Sequence, residues 1–295
     1  MLSILIPIYN ETIGPLVKDL AEQGRGLLDF EILCFDDGSE ESFLTLNKKL
    51  GSIPEVDYRE MPTNLGRSKI RNVLADAAKG EYLLFMDCDS KVVKVDYLAT
   101  YVKSLEANTL LYGGRCYDPA PPQNPAHLFH WTYGIQREQQ PVLARQAQPY
   151  HSFMTNNFLI PSSHFQQIRF DESLTQYGHE DTLFGMELKK RGIKMLHLEN
   201  PLEHTGLESS EVFLDKTRKG IENLHQLLLD GKMVETKLTK AYGLLKKMGL
   251  DGLFLRSFSF SEKWIYNSLI TNRYGMRLFD LYKLGLLVRL GQRTE

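Results

Sequence analysis

Hydrophobic residues in the first hundred positions follow two alternating rhythms. Short strand-length segments occupy 3–8, 31–35, 56–59 and 82–86, and between them 13–28, 41–50, 67–78 and 95–106 carry apolar positions at helical spacing. Such alternation predicts a parallel sheet with crossover helices. Ligands on such sheets collect at the carboxyl ends of the strands, and each polar cluster of this region falls at such an end. A further strand is predicted at 109–113, after which Asp118-Pro119-Ala120-Pro121-Pro122-Gln123-Asn124-Pro125 breaks regular structure and opens an inserted loop with a short helix over 119–150. A second block over 153–198 shows an apolar strand at 158–161, an acidic helix start at Gly178-His179-Glu180-Asp181, and Gly192 as that helix's stop. Helical patterning resumes at 212–229 and 237–248 and continues into an aromatic stretch from Gly252. The expected organisation is therefore an α/β domain over 1–210, in halves 1–113 and 114–210, followed by a helical extension over 211–295.

Composition agrees with this plan. With 295 residues and 42% hydrophobic content, the chain can bury one large α/β core with an appendage. Cys34, Cys88 and Cys116 are an odd number. The start Met1-Leu2-Ser3-Ile4-Leu5-Ile6-Pro7 has no basic flank and is soon interrupted by proline, unlike a signal peptide, so reduced thiols and a cytoplasmic location are expected. No run of about 18 apolar residues suggests a membrane span. The net charge of −2 conceals an asymmetry: from Lys216 to Glu295 there are fifteen Lys/Arg against seven Asp/Glu, +8, leaving −10 for the first 215 residues. A basic tail interleaved with aromatics without a nucleic-acid motif is expected to pack on the preceding α/β domain, to form a homodimer, or to lie peripherally on the inner face of a cell membrane.

The most telling chemistry lies where the run 82–86 empties into Asp87-Cys88-Asp89. In an extended chain, residues two apart point the same way, so both carboxylates are expected to converge on one cation. Oxygen ligands suit Mg²⁺ or Mn²⁺, which complete their shells with water and substrate phosphates. Alone, Asp-x-Asp is equally good turn or cap chemistry. The same holds for Pro7-Ile8-Tyr9-Asn10-Glu11, for Asp36-Asp37-Gly38-Ser39, and for Asn64-Leu65-Gly66-Arg67 with Arg71-Asn72 behind it. Their order places four such clusters at four successive strand ends.

That ordered set resembles the nucleotide-binding half of the family 2 glycosyltransferases, GT-A-fold enzymes that move a sugar from a nucleotide diphosphate. Asn156-Asn157-Phe158-Leu159-Ile160-Pro161, Phe170-Asp171-Glu172 and Tyr177-Gly178-His179-Glu180-Asp181-Thr182 resemble its acceptor half, so the likeness covers roughly residues 1 to 210. It implies a doubly wound mixed sheet with a C-terminal helical extension. It also implies that Pro7, Tyr9, Glu11, Asn64 and Gly66 wall a nucleotide pocket, that Asp37 accepts a hydrogen bond from the base, and that Arg71 and Arg67 offset the diphosphate. Asp89 would hold Mn²⁺ or Mg²⁺, Asp87 would reach the ribose or a metal-bound water, and His204 would complete metal or diphosphate binding. Asp181 is the implied general base, with Glu180 on acceptor hydroxyls and Asn157, His179 and Trp131 lining the acceptor site. One base and one metal make a single inverting displacement from a UDP-sugar, hexosyl or N-acetylhexosaminyl, onto a growing surface glycan, free or lipid-linked. Ile70 departs from the alanine common before the Arg-Asn pair, a matter of packing.

Two other classes stay in view. A nucleotidyltransferase that makes sugar nucleotides is disfavoured because no glycine-rich, lysine-bearing loop follows the first strand. A non-catalytic glycan-binding protein on the same fold is expected to lose Asp89 or Asp181, and both are present. His127 and His197 have no metal-ligand spacing, and no Ser-His-Asp order, Walker loop or Cys-x-x-Cys occurs.

Overall fold

A computed structural model describes residues 1–173, 178–232, 234, 236–273 and 275–293. Tyr177, at the head of the last acceptor-half motif, lies outside them. Ten strands occur among the described residues: β1 Leu2–Ile8, β2 Phe30–Asp36, β3 Val56–Glu60, β4 Tyr82–Met86, β5 Ser90–Val92, β6 Thr109–Tyr112, β7 Arg115–Cys116, β8 Asn157–Pro161, β9 Lys194–His197 and β10 Leu202–His204. The α-helices are α1 Gly14–Gly24, α2 Glu41–Asn47, α3 Arg67–Ala77, α4 Tyr97–Lys103, α5 Leu128–Tyr133, α6 Val142–Ala147, α7 Ser162–Ile168, α8 Glu180–Lys190, α9 Ser210–Leu229, α10 Lys237–Lys247, α11 Asp251–Ile270 and α12 Met276–Arg293.

Two compact units emerge. The first comprises Met1–Asp118, 138–173 and Glu180–Gly206; the second comprises Pro119–Arg137, 178–179 and 207–293. The sequence reading puts its break at 210, whereas the second unit begins at Leu207 and also takes in the proline-rich segment with α5.

The first unit is built on a seven-stranded mixed sheet in the order β3-β2-β1-β4-β8-β6-β9. β3, β2, β1 and β4 run parallel, with Ile8 opposite Asp36 and Asp36 opposite Glu60, so their carboxyl ends line up on one edge. Period-two alternation sends Ile4, Ile6 and Leu84 into one apolar cluster and Leu5, Leu83 and Phe85 into another, which is why these strands are apolar throughout. α1 buries Leu16, Val17 and Leu20. It ends at Gly24, short of the predicted 28, because Arg25 turns extended at ψ 124. β8 departs from the parallel scheme: it lies antiparallel between β4 and β6, with Met86 opposite Asn157. The residues just before β8, Thr155 and Asn156, therefore reach the same edge as the ends of β1, β2 and β4. A small sheet, β5-β10-β7, sets His204 opposite Ser90, next to Asp89.

In the second unit an aromatic group of Phe129, Tyr133, Phe213 and Phe279 joins α5, α9 and α12. Phe258 of α11 packs where α12 offers Gly285, a residue with no side chain to keep the helices apart. No helix among the described residues is long and apolar enough to cross a membrane.

Candidate active site

The loops after β1, β2 and β3 are laced together by short polar residues. Asn10, in the left-handed region at φ 51, donates its N–H to Ser39 Oγ at 2.8 Å, and its Oδ1 accepts the Glu40 N–H at 2.8 Å. The Asp37 carboxylate accepts the Leu65 and Gly66 N–H groups at 2.6 and 3.0 Å, while Asn64 Nδ2 donates to the Asp37 carbonyl at 2.9 Å. Gly66 has φ 84, a conformation that favours glycine, and opens α3. Burial pushes the Asp37 carboxyl upward, opposed by those two backbone donors. Asp37 thus shapes the turn carrying Asn64 and Gly66, and its oxygens keep lone pairs for a further donor. Tyr9 is exposed on the adjoining loop, with Glu11 accepting the Thr12 N–H at 3.1 Å. Pro7 sits one residue inside the end of β1. The residues expected to wall a nucleotide pocket are therefore gathered at one corner.

At the end of β4 the chain turns instead of staying extended, and the two carboxylates take different partners. Asp87 Oδ1 accepts from Arg71 Nη2 at 2.6 Å and Oδ2 from Arg115 Nη2 at 3.2 Å. Of the two carboxylates expected to converge on one cation, Asp87 is engaged by two guanidinium groups. Arg71, expected beside a diphosphate, spends part of its charge on Asp87. Sequence reasoning missed Arg115. It also donates to Glu138 Oε2 at 3.1 Å, an oxygen that Tyr117 OH bonds as well. Burial alone would lower the Arg115 pKa, yet Glu138, Tyr117 and Asp87 push it well above the usual value, so the guanidinium stays charged. Its signal was available: Gly113-Gly114-Arg115 is a polar cluster at yet another strand end.

Asp89 points elsewhere. His204 Nδ1 lies 3.5 Å from its Oδ2, and Thr205 donates its N–H and hydroxyl to the Asp89 carbonyl at 2.9 and 3.0 Å. A Cβ on Gly206 would come within 2.8 Å of Asp89 Oδ2, so only glycine leaves room there. Among the described residues, Asp89 Oδ1 is buried without a hydrogen-bond partner. Burial would raise this carboxyl, but His204, Arg115 and Arg67 hold it well below the usual carboxylate range. An ionised, buried oxygen without a donor is what a cation satisfies. No cluster of three or more metal-ligating side chains occurs among the described residues. Asp89 and His204 therefore fit an ion that takes one or two protein donors and completes its shell from phosphate and water.

Glu180 and Asp181 open α8, where the helix dipole favours acidic residues. Glu180 Oε1 receives Arg67 Nη1 at 3.3 Å, and Arg71 Nη1 donates to the Arg67 carbonyl at 3.1 Å, tying α8, α3 and the end of β4 into one charged chain. Asp181 Oδ1 accepts the Thr155 hydroxyl at 2.6 Å. Burial first, then the charge of Glu180, pushes the Asp181 carboxyl up to about 7. That value suits a group that must exchange protons near neutrality.

Asn157 corrects the sequence reading. It is fully buried: its Oδ1 accepts the Tyr97 and Tyr101 hydroxyls at 2.6 and 2.7 Å, and its Nδ2 donates to the Gly114 and Asn200 carbonyls at 2.9 Å each. With both ends of the amide used internally, it is a strut and does not line an acceptor site. His179 and Trp131 belong to the second unit. His179, at φ 73, sets its Nε2 3.0 Å from the Gly220 carbonyl, and Trp131 lies on α5. The three cysteines are free, and burial raises each thiol, Cys88 to about 12 and Cys116 to about 11, which disfavours nucleophilic thiolate.

The seven-stranded mixed sheet with its helices has parallels among solved structures, including two that are below 25% identity and therefore informative about the fold alone. The Staphylococcus aureus TarS 1-349 crystal structure overlays with a TM-score of 0.52 at 17% identity, covering 100% of this chain and 92% of that one. The mannosyltransferase PcManGT from Pyrobaculum calidifontis, solved with GDP-Man and Mn²⁺, overlays at 0.59 and 12%, covering 100% and 88%. The fold is GT-A. The glycosyl transferase family 2 model matches residues 3–163, and the chain belongs to that family. Sequence relatives include the poly(ribitol-phosphate) beta-N-acetylglucosaminyltransferase TarS of Staphylococcus aureus, 33% identical over 95 residues, 31% of this chain and 17% of that protein. The poly(ribitol-phosphate) beta-glucosyltransferase of Bacillus spizizenii is 36% identical over 109 residues, 36% of this chain and 17% of that protein. The validoxylamine A glucosyltransferase of Streptomyces hygroscopicus is 26% identical over 226 residues, 66% of this chain and 53% of that protein. The aligned stretch thus spans only about a sixth of the first two relatives and about half of the third.

Proposed function

We propose that the chain is an inverting, divalent-metal-dependent glycosyltransferase that moves a sugar from a UDP-sugar to a hydroxyl of a growing surface glycan at the cytoplasmic side of the cell. The observation that carries the reading is the pairing, on one sheet edge, of Asp181, whose carboxyl is raised to about 7, with Asp89, whose Oδ1 is buried, ionised and, among the described residues, without a partner. The donor side is supported by the Asp37 corner and by the complexes of the overlaid TarS structures with UDP and UDP-GlcNAc. Asp89 and His204 would hold Mn²⁺ or Mg²⁺, which when bound offsets charge growing on the leaving diphosphate.

The protein's own groups do the rest. Asp181 takes the proton from the acceptor hydroxyl, with Thr155 fixing its orientation, and that oxygen attacks the sugar C1 from the face opposite the diphosphate. Arg71 and Arg115 fix the Asp87 carboxylate through one hydrogen bond each, and Arg67 holds Glu180 beside the base. A single displacement inverts the anomeric centre. The test is a screen of nucleotide sugars with Mn²⁺ or Mg²⁺ for hydrolysis and transfer, followed by NMR of the product. Transfer with inversion is expected; a product retaining the donor configuration, or no turnover of any nucleotide sugar, would sink the reading.

A further inference from the structure

α11 has two faces of opposite character within the second unit. Phe258, Ile265 and Leu269 are buried, and both acidic residues of the helix bond side chains of α12. Glu262 receives Arg289 of α12 through two hydrogen bonds at 2.8 and 2.6 Å, and Asp251 accepts from Gln292 at 3.0 Å. The outward face holds Leu253, Phe260 and Trp264, exposed by 67%, 95% and 54%. At intervals of seven and four they form one stripe along the helix. Exposed Arg256 and Lys263 run along one border of that stripe. At the end of α10, exposed Leu244 and Met248 flank Lys247 and extend the same chemistry.

The result is an apolar, aromatic strip edged by cations, with Glu262 paired to Arg289 and Asp251 hydrogen-bonded to Gln292 on the other side of α11. An isolated exposed leucine needs no explanation, but large aromatic and aliphatic groups clustered with cations do. Protein interfaces are depleted in lysine at their centres. Helices that lie in a lipid headgroup layer combine Trp, Phe and Leu on one face with Lys and Arg beside them. The charge asymmetry agrees, since positions 216–295 carry +8. We infer that the outer face of α11, with the end of α10, is a docking surface for an anionic lipid bilayer. The aromatic and aliphatic tips enter the headgroup boundary, while Arg256, Lys263 and Lys247 meet lipid phosphates. The inference is independent of the transfer reaction, and its readout is binding.

Sedimentation of the 295-residue chain with phosphatidylglycerol-containing vesicles tests it, with pure phosphatidylcholine vesicles as the control. Binding to anionic vesicles is expected at low salt and should weaken as salt rises. Arg256→Gln combined with Lys263→Gln is expected to weaken binding about 25-fold, roughly fivefold for each charge lost near the surface. Phe260→Ser with Trp264→Ser should reduce it further. All four side chains are exposed, so the variants should keep the wild-type circular dichroism; if the aromatic pair misfolds, the charge pair alone decides. The proposal is overturned by absence of binding at low salt, or by charge variants that bind like wild type. It is equally overturned if the chain forms a dimer in light scattering that the aromatic variant dissociates and no vesicle binding occurs.

Discussion

At the residue scale, Asp181 is the group whose environment speaks most directly to reactivity. Its carboxyl loses solvation, feels the charge of Glu180 and is only partly relieved by Thr155, which leaves it at about 7. In the proposed role of general base it works only when deprotonated. The transfer rate is therefore expected to rise with pH up to about 7 and level off above, and Asp181→Asn should abolish that limb while lowering turnover about 10²–10⁴-fold with donor affinity nearly unchanged. Steady-state kinetics and calorimetric titration of UDP check both halves. Stability runs the other way. Because the folded pKa lies above the unfolded one, the native state binds the proton more tightly, so this stabilisation is full below about 4 and is lost as pH rises to about 7. Asp181→Asn should accordingly be more stable than wild type at pH 8, as read by chemical denaturation. A residue that makes the protein less stable in the state in which it reacts is what a functional carboxylate looks like.

At the element scale, glycine decides how closely helices approach. A Cβ on Gly285 of α12 would stand 2.3 Å from the buried Phe258 ring, whereas one on Gly243 of α10 would meet nothing within 4 Å. Gly285→Ala is expected to cost about 1–3 kcal/mol through overpacking, and Gly243→Ala to stabilise by about 0.5–1 kcal/mol through helix propensity. Trp131 and Trp264, the two tryptophans, both lie in the second unit, so fluorescence-detected urea unfolding reports on that unit directly. Opposite signs for the two substitutions are the expected result; equal effects would mean that α11 and α12 are not packed at that point. The same scale explains which elements were legible. β1, β2 and β4 and most of the helices declare themselves through apolar runs or helical spacing, and 82–86 coincides with β4. β5, β7, β9 and β10, of two to four residues, are too short for any period to register, and they exist because neighbouring strands offer unpaired edges.

For the whole molecule, the expected behaviour is coupling between nucleotide and metal. If Asp89 and His204 hold an ion that also takes substrate phosphates, UDP with Mn²⁺ should raise the melting temperature more than the two separate effects together. Saturation at about 100 times the dissociation constant corresponds to about 2.7 kcal/mol. Asp89→Asn should remove this synergy while circular dichroism shows the fold intact. Additive effects of UDP and Mn²⁺ on the wild type would separate the metal from the donor site. The paired fate of Asp87 and Asp89 matters here, because only Asp89 is left with an oxygen unengaged by the protein.

What the sequence by itself determined is the set of local facts. It settled the alternation of strands and helices, the apolar faces, the family, and the placing of polar clusters at the ends of parallel strands. All but the family follow from spacing within a window of about a dozen residues; the family follows from the resemblance of the ordered motifs over roughly residues 1 to 210. Only the tertiary structure decided which of those polar residues face one another. Asp87 meets Arg115 across 28 positions, Asp181 meets Thr155 across 26, and Arg67 meets Glu180 across 113. Asn157 reads like a site residue until β8, inserted antiparallel between β4 and β6, buries it under two tyrosine hydroxyls. Local periodicity reports which way a side chain points from its own backbone. The charge, donor or solvent that it meets there is set by the register of strands distant in sequence, and that register is what gives one aspartate a clamp, another a vacant oxygen and a third a raised pKa.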